Sequence, residues 1–262
     1  MPATYTHGVY GKKVLEALDE QTRELIKKHR SLYDIGLSGP DILFFYQPLK
    51  SNDIKKIGYD MHDVAAREFF MKARRLIQES EDPEAALVYV LGFINHFVLD
   101  SECHPLVNEA EKQTGVTHTE IESELDAFLM REDGLDPVRT SVCDHIQVRK
   151  RDAQIIAPFF GVSEKEIREA LRTLRLFLNI FVAPSEVKRE FIFFVMRKTH
   201  MYEHYHGLVF NREPNRKSYE TVKQLRKSMD HAIEASVMLI DEYQRTLFTD
   251  QMLNERYDRN FD

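Results

Sequence analysis

Apolar positions in this chain recur mostly at the spacing of a helix. Residues 13–29 set Val14, Leu15, Leu18, Leu25 and Ile26 on one helical stripe, and residues 61–78 do the same with Val64, Phe69, Phe70, Ala73 and Ile77. Asp82-Pro83-Glu84 is a helix start, with Asp82 as the capping acceptor and Pro83 in the first turn, where a missing N–H is harmless. The helix beyond it carries Ala85, Leu87, Val88, Val90, Leu91, Phe93, Ile94, Phe97 and Val98. It is apolar nearly all round, which predicts burial. Thr117 with Glu120 predicts a capping box, and Ser163 with Glu166 predicts a second, opening a helix towards Phe181. Ala183-Pro184-Ser185 breaks that helix, and Ser185 starts the next, towards Tyr202. Residues 210–217 read as a polar loop, and a long amphipathic helix runs from Ser218 towards Phe248. No stretch alternates as a strand does. The pattern predicts an all-α fold, a single multi-helix domain over residues 1–262 with roughly nine or ten helices.

Composition narrows this further. Ten Gly and nine Pro in 262 residues are too few for a β protein of many tight turns. Two Cys, in no Cys-x-x-Cys pair, exclude a disulfide scaffold. MPATYTHGVYGKK holds no apolar stretch of signal-peptide length. The apolar runs at 176–184 and 191–196 fall far short of the ~20 residues of a membrane span. These features predict a soluble, cytoplasmic protein with no membrane domain. A net charge of −7 argues against charge-driven binding to nucleic acid or anionic lipid, and Arg149-Lys150-Arg151 reads as a solvated face. The unusual counts are eleven His and no Trp.

Several of those histidines fall into a pattern with chemical content. His96, Asp100 and His104 stand at i, i+4 and i+8 of the helix predicted to be buried, so all three share a face while spanning ~12 Å of axis. One ion cannot take all three, whereas two or more in a row could, with Asp100 between them. A lone buried His is usually a satisfied core residue. A carboxylate on an apolar helix, by contrast, costs several kcal/mol unless paired or metal-bound. His118 and Glu122 form another i, i+4 pair able to chelate one ion from one helix face. Glu124 and Asp126 read as a solvated acidic face. Upstream lie Thr6-His7 just before the first helix, Gly39-Pro40-Asp41 as a turn before Ile42-Leu43-Phe44-Phe45, and Gly58-Tyr-Asp-Met-His62-Asp63 at a helix start.

The order Thr-His, Gly-Pro-Asp, Gly-x-x-x-His, His-x-x-x-Asp-x-x-x-His-Pro and His-x-x-x-Glu resembles the zinc-dependent phospholipase C family, related in fold and site to the S1/P1 nucleases. The resemblance covers about residues 6–126. It implies an all-α phosphoesterase, a metal-dependent hydrolase of phosphate esters such as a phospholipase C-like phosphodiesterase. It implies two or three zinc ions: His62, His96, Asp100 and Asp41 on one, His104, His118 and Glu122 on a second, and Asp100 bridging from the first to a third that His7 also binds. Asp41 is either a ligand or the acceptor of the attacking water's proton. Ligands of His and carboxylate without thiolate suit zinc, and also iron, manganese or nickel.

The chain departs from the family in two respects. Relatives complete the third site with the amino group and carbonyl of an N-terminal Trp; here removal of Met1 would expose Pro2 instead. The second half shows helical packing but not the β-sandwich of the toxin-like relatives. A soluble phosphate ester is therefore as fitting a substrate as a lipid. Outside the motifs, Tyr59, His200 and His204 are candidate substrate contacts, with Tyr202 and Tyr205 as walls; the ordinary reading of the His200–His206 cluster is a surface helix end. Cys103 shares the ligand face but reads as a small core residue, and His29, His145 and His231 read as incidental. Two other functions stay open: an HD-type phosphohydrolase, in which the adjacent His62-Asp63 would share one metal, and a non-catalytic helical metal-binding or interaction protein.

Overall fold

The structure, a computed structural model, describes residues 3–261. Among them are twelve α-helices, four 3-10 helices and no strand, all in one domain, so the fold is all-α. Where the periodicity merges two stripes, local capping separates them. α1 (Thr4–Ala17) and α2 (Glu20–Lys28) are distinct because Asp19 turns the chain and accepts from Thr22 N at 3.0 Å and Thr22 Oγ1 at 2.6 Å. α3 (Arg30–Gly36) follows, then a 3-10 helix, Gly39–Phe45, that absorbs both the expected turn and the apolar run after it. α4 (Asp53–Asp63) is capped by Asn52, which accepts from Lys55 N at 2.9 Å, and it ends at Val64; α5 (Ala66–Glu79) starts afresh. His62 therefore closes a helix rather than opening one. His7 lies inside α1, not ahead of it.

α6 (Pro83–Thr114) is the axis of the domain, with Asp82 capping Ala85 N as expected. Its length and mean hydropathy would suit a membrane span, but 89% of the apolar window is buried inside the fold. α3, α5, α1 and α12 (Tyr219–Thr246) pack around it. α3 crosses α6 in close backbone contact at Gly36 and Gly92. A Cβ on Gly92 would stand 2.3 Å from Tyr33 O, and one on Gly36 2.3 Å from Tyr89 O, so neither position has room for a side chain. α7 (His118–Glu132) and α9 (Glu164–Phe181) open with the capping boxes expected at Thr117/Glu120 and Ser163/Glu166. α8 (Lys150–Phe160) lies between them in the chain. α10 (Glu186–Lys198) stops short of Tyr202, and α11 (Tyr202–Tyr205) is one turn.

The segment after α12 returns beneath α6. Arg67 donates to Leu253 O and Asn254 O, both at 2.9 Å, Ala66 N donates to Arg259 O at 2.9 Å, and Arg256 pairs with Glu102 of α6 at 3.1 Å. This delivers Phe261, fully buried, against Phe97, His62 and His96 at ring distances of 5.2, 5.3 and 5.9 Å.

Candidate metal centre

Four separate elements bring their polar residues to one buried place beside α6. His96, Asp100 and His104 project from one face of α6, as the i, i+4, i+8 spacing dictates. α1 contributes His7, the 3-10 helix Asp41, α4 His62, and α7 His118 and Glu122. His62 and His96, expected on one ion, have ring centroids 6.3 Å apart.

Three groups result: Asp41, His62 and His96; His7, His96 and Asp100; and His104, His118 and Glu122. Within each, one ligand atom per residue lies within 4.8 Å of the others. His62 Nε2 is 3.2 Å from Asp41 Oδ1, His96 Nε2 is 3.0 Å from Asp100 Oδ2, and His7 Nε2 is 3.1 Å from Asp100 Oδ1. In the third group His118 Nε2 is 3.4 Å and His104 Nε2 3.5 Å from Glu122 Oε1. Asp100 Oδ1 stands 3.7 Å from His104 Nε2, so this one carboxylate touches all three groups. Two atoms on one tetrahedral zinc at ~2.0–2.1 Å are about 3.3 Å apart, and these separations match.

The imidazoles are presented as ligands. Nδ1 of His62 donates to Gly58 O at 2.8 Å, that of His96 to Leu37 O at 3.2 Å, and that of His118 to Asn108 Oδ1 at 3.2 Å. A proton fixed on Nδ1 leaves the Nε2 lone pair outward, the arrangement that orients metal-bound histidines. The Nε2 atoms of His62, His96 and His118 are buried and make no hydrogen bond, although carboxylate oxygens stand close. Buried polar atoms without hydrogen bonds are rare and call for an ion or water. The donor set, all imidazole and carboxylate, fits zinc.

The ionisable groups shift one another: burial works to lower His62, but the facing Asp41 carboxylate raises it above its ordinary value. Burial works against ionising Asp100, but His96, His104 and His7 hold its carboxyl well below the usual range. Asp41 behaves alike: despite burial, His62 and His96 help hold its carboxyl below the usual carboxylate range. Burial lowers His96, favouring the neutral imidazole that ligates.

A family model for zinc dependent phospholipase C matches residues 6–169, which covers every one of these groups. The chain belongs to this family. No curated protein and no solved structure matches it. In this member of the family the Gly-Pro-Asp motif has a plain physical role. Gly39 has φ +50°, a region that favours glycine, and a Cβ there would stand 2.0 Å from His96 Cδ2. Pro40 sits in the first turn of the 3-10 helix, and Asp41 then faces His62. Gly58, four residues before His62, likewise admits Phe44, whose ring would be 2.9 Å from a Cβ.

An open cleft of about 1010 Å³ lies above the centre. His62, His104 and His118 form part of its floor; Tyr59, His200 and His204 line its walls with Phe44 and Tyr205. Tyr59 is stacked on Phe44 at 4.4 Å, and His200 takes φ +57° just after α10. Tyr202 turns away from this cleft and stacks on His206 at 4.6 Å. Asp63 is exposed, and the carboxylate facing His62 is Asp41, against the pairing an HD-type site requires. Cys103 joins none of the groups, and burial pushes its thiol up. Pro2, which stands where relatives have the N-terminal Trp, lies outside the described residues. His96 belongs to two of the groups but has one Nε2 to offer.

Glu124 and Asp126 overturn the expectation of a solvated acidic face, for both are buried. Glu124 accepts from Asn211 Nδ2 at 2.8 Å and Asn215 N at 3.0 Å. Asp126 accepts from Thr6 N at 2.7 Å, Thr6 Oγ1 at 2.6 Å and Tyr5 N at 3.1 Å, which satisfies the open N–H groups of α1's first turn. It thereby places His7. No motif marks it; the clue is the i+4 step from Glu122 along α7. Asp126→Ala is expected to cost about 2 kcal/mol, from donors left without partners, read as a lower melting temperature. Burial pushes the Asp126 carboxyl up to about 7 from 3.8. The folded state thus holds a proton that the unfolded chain releases, so this group's support is full below pH 3.8 and is lost as pH rises through about 7. Asp126→Asn should flatten that part of the stability profile.

Proposed function

We propose that this chain hydrolyses phosphate esters, phosphodiesters foremost, by attack of water on phosphorus at a centre of zinc ions. The observation that carries the reading is the sharing of Asp100 by three ligand groups beneath an open cleft. His62, His96 and Asp100 Oδ2 would hold one ion, and His104, His118 and Glu122 a second; His7 and Asp100 Oδ1 would serve a third. Bound zinc supplies an acidified water and neutralises charge that builds on the phosphoryl oxygens. The chain's own residues do the rest. The cleft floor at His62, His104 and His118 admits the phosphate, His200 and His204 orient it from the wall, and Tyr59 packs against the ester group. Asp41, the other carboxylate beside His62 and His96, takes the proton released as water attacks.

A purely structural metal site is closed by protein ligands, whereas a catalytic one keeps a position open. The cleft above the ligands favours the second. The test is metal content together with hydrolysis of bis(p-nitrophenyl) phosphate and a p-nitrophenyl monoester. Chelation is expected to reduce hydrolysis to background, and added zinc to restore it. Bound metal with no hydrolysis of either ester would overturn the proposal in favour of a structural role.

A further inference from the structure

The ridge of polar residues on α6 does not end at His104. Asn108 stands one further turn along, at the same four-residue step as His96, Asp100 and His104. Each step drifts by about 40°, so Asn108 lies about 120° round from His96 and leaves the ligand face. It meets α7 instead: Asn108 Oδ1 is 3.2 Å from Nδ1 of His118. The end of α6 adds a second hold, for Glu111 Oε1 accepts from His118 N at 3.0 Å. The first residue of α7 is thus fixed by its ring and, separately, by its backbone.

His118 needs this hold more than the other imidazoles of the centre. Its side chain is 24% exposed, against 11% for His62, 7% for His7, 3% for His104 and 0% for His96. A ring that water reaches is free to turn and to carry its proton on either nitrogen, and the hydrogen bond made by one nitrogen decides whether the other can ligate. His62 and His96 give their Nδ1 protons to backbone carbonyls, Gly58 O and Leu37 O. His118 gives its proton to a side chain, so here the partner is a choice of residue type. An amide oxygen toward Nδ1 leaves the Nε2 lone pair bare, and that atom faces Glu122 Oε1 at 3.4 Å. We propose that Asn108 is a positioning residue: it holds the His118 ring in the ligating tautomer and orientation, and so sets the zinc affinity of the His104, His118 and Glu122 group separately from the other two. The inference rests on the reading of those three residues as ligands.

The test is zinc binding by the purified chain, measured by competition with a chromophoric chelator, together with melting temperature with and without zinc. Asn108→Ala is expected to weaken one ion by about 10- to 100-fold and to leave the remaining zinc at wild-type affinity. Asn108→Asp keeps an acceptor toward Nδ1 and is expected to bind that ion at least as tightly as the wild type. The metal-free melting temperature of Asn108→Ala should match that of the wild type, with the difference appearing only when zinc is added. Wild-type affinity for every ion in Asn108→Ala would overturn the proposal. So would an equal drop in melting temperature with and without zinc, since Asn108 would then serve packing alone. His118→Ala separates this failure from failure of the site. If His118→Ala loses an ion that Asn108→Ala binds normally, only the positioning role falls. If His118→Ala takes up zinc as the wild type does, His118 is no ligand and both readings fall.

Discussion

Asp100→Asn is expected to lower phosphodiester hydrolysis by roughly 10³-fold, equivalent to about 4 kcal/mol of transition-state stabilisation, and to strip metal from the chain. Both oxygens of Asp100 are committed, Oδ1 at 3.1 Å from His7 Nε2 and Oδ2 at 3.0 Å from His96 Nε2. An amide keeps one oxygen, loses the negative charge and turns an NH2 donor toward an imidazole nitrogen or an ion. Elemental analysis of the purified variant should show fewer ions per chain, and kcat should fall with it. The fold should survive, because Asn is nearly the same size and the amide can still bond its neighbours in the absence of metal. A variant with full metal content and full activity would remove Asp100 from the centre.

Gly39→Ala should be the most damaging single methyl in the site. Its φ of +50° disfavours any side chain, and the new Cβ would stand 2.0 Å from His96 Cδ2 and 2.5 Å from His96 Nε2. The ring cannot move away freely, being stacked on His7 at 4.6 Å and held through Nδ1 by Leu37 O at 3.2 Å. Strain of this kind costs about 1–3 kcal/mol, and displacing His96 also disrupts the two groups it joins. A lower melting temperature together with the loss of stabilisation by added zinc is the expected result. A melting curve that still rises with zinc as in the wild type would show that His96 is not disturbed. Gly115, whose φ is +68° but whose Cβ would meet nothing, is the control: alanine there should cost stability without affecting metal.

Much of the site could be read before any coordinates. The ligand spacing on α6 and the His118/Glu122 pair each lie within one helix, where 3.6 residues per turn sets who shares a face. Caps at Asp82, Thr117 and Ser163 were equally local and equally readable. Expectation and structure part where a local rule meets a competing one. The apolar stripes of α1 and α2 run on through Leu18, so periodicity merged two helices that Asp19 separates. Asp126 reads as one more charge on an acidic run, because nothing near it in the chain shows that α1 will present its bare N–H groups there, 120 residues away. Phe261 likewise gives no hint that it will seal His62 and His96 from below.

The chain's pattern alone was enough for the all-α class, the buried central helix and the residue types that point to metal, since each depends on neighbours a turn or two away. The meeting of α1, the 3-10 helix, α4, α6 and α7 is another matter. It rests on close approaches such as Gly36 against Gly92 and Gly39 against His96, on Asp126 holding α1, and on the final segment packing under α6. Those contacts join residues far apart in sequence, and their geometry is set by the packing of the whole domain. That is why the histidines and the sharing of Asp100 could be read from the sequence, while the contacts that bring the five elements together and the open cleft above them emerged only in three dimensions.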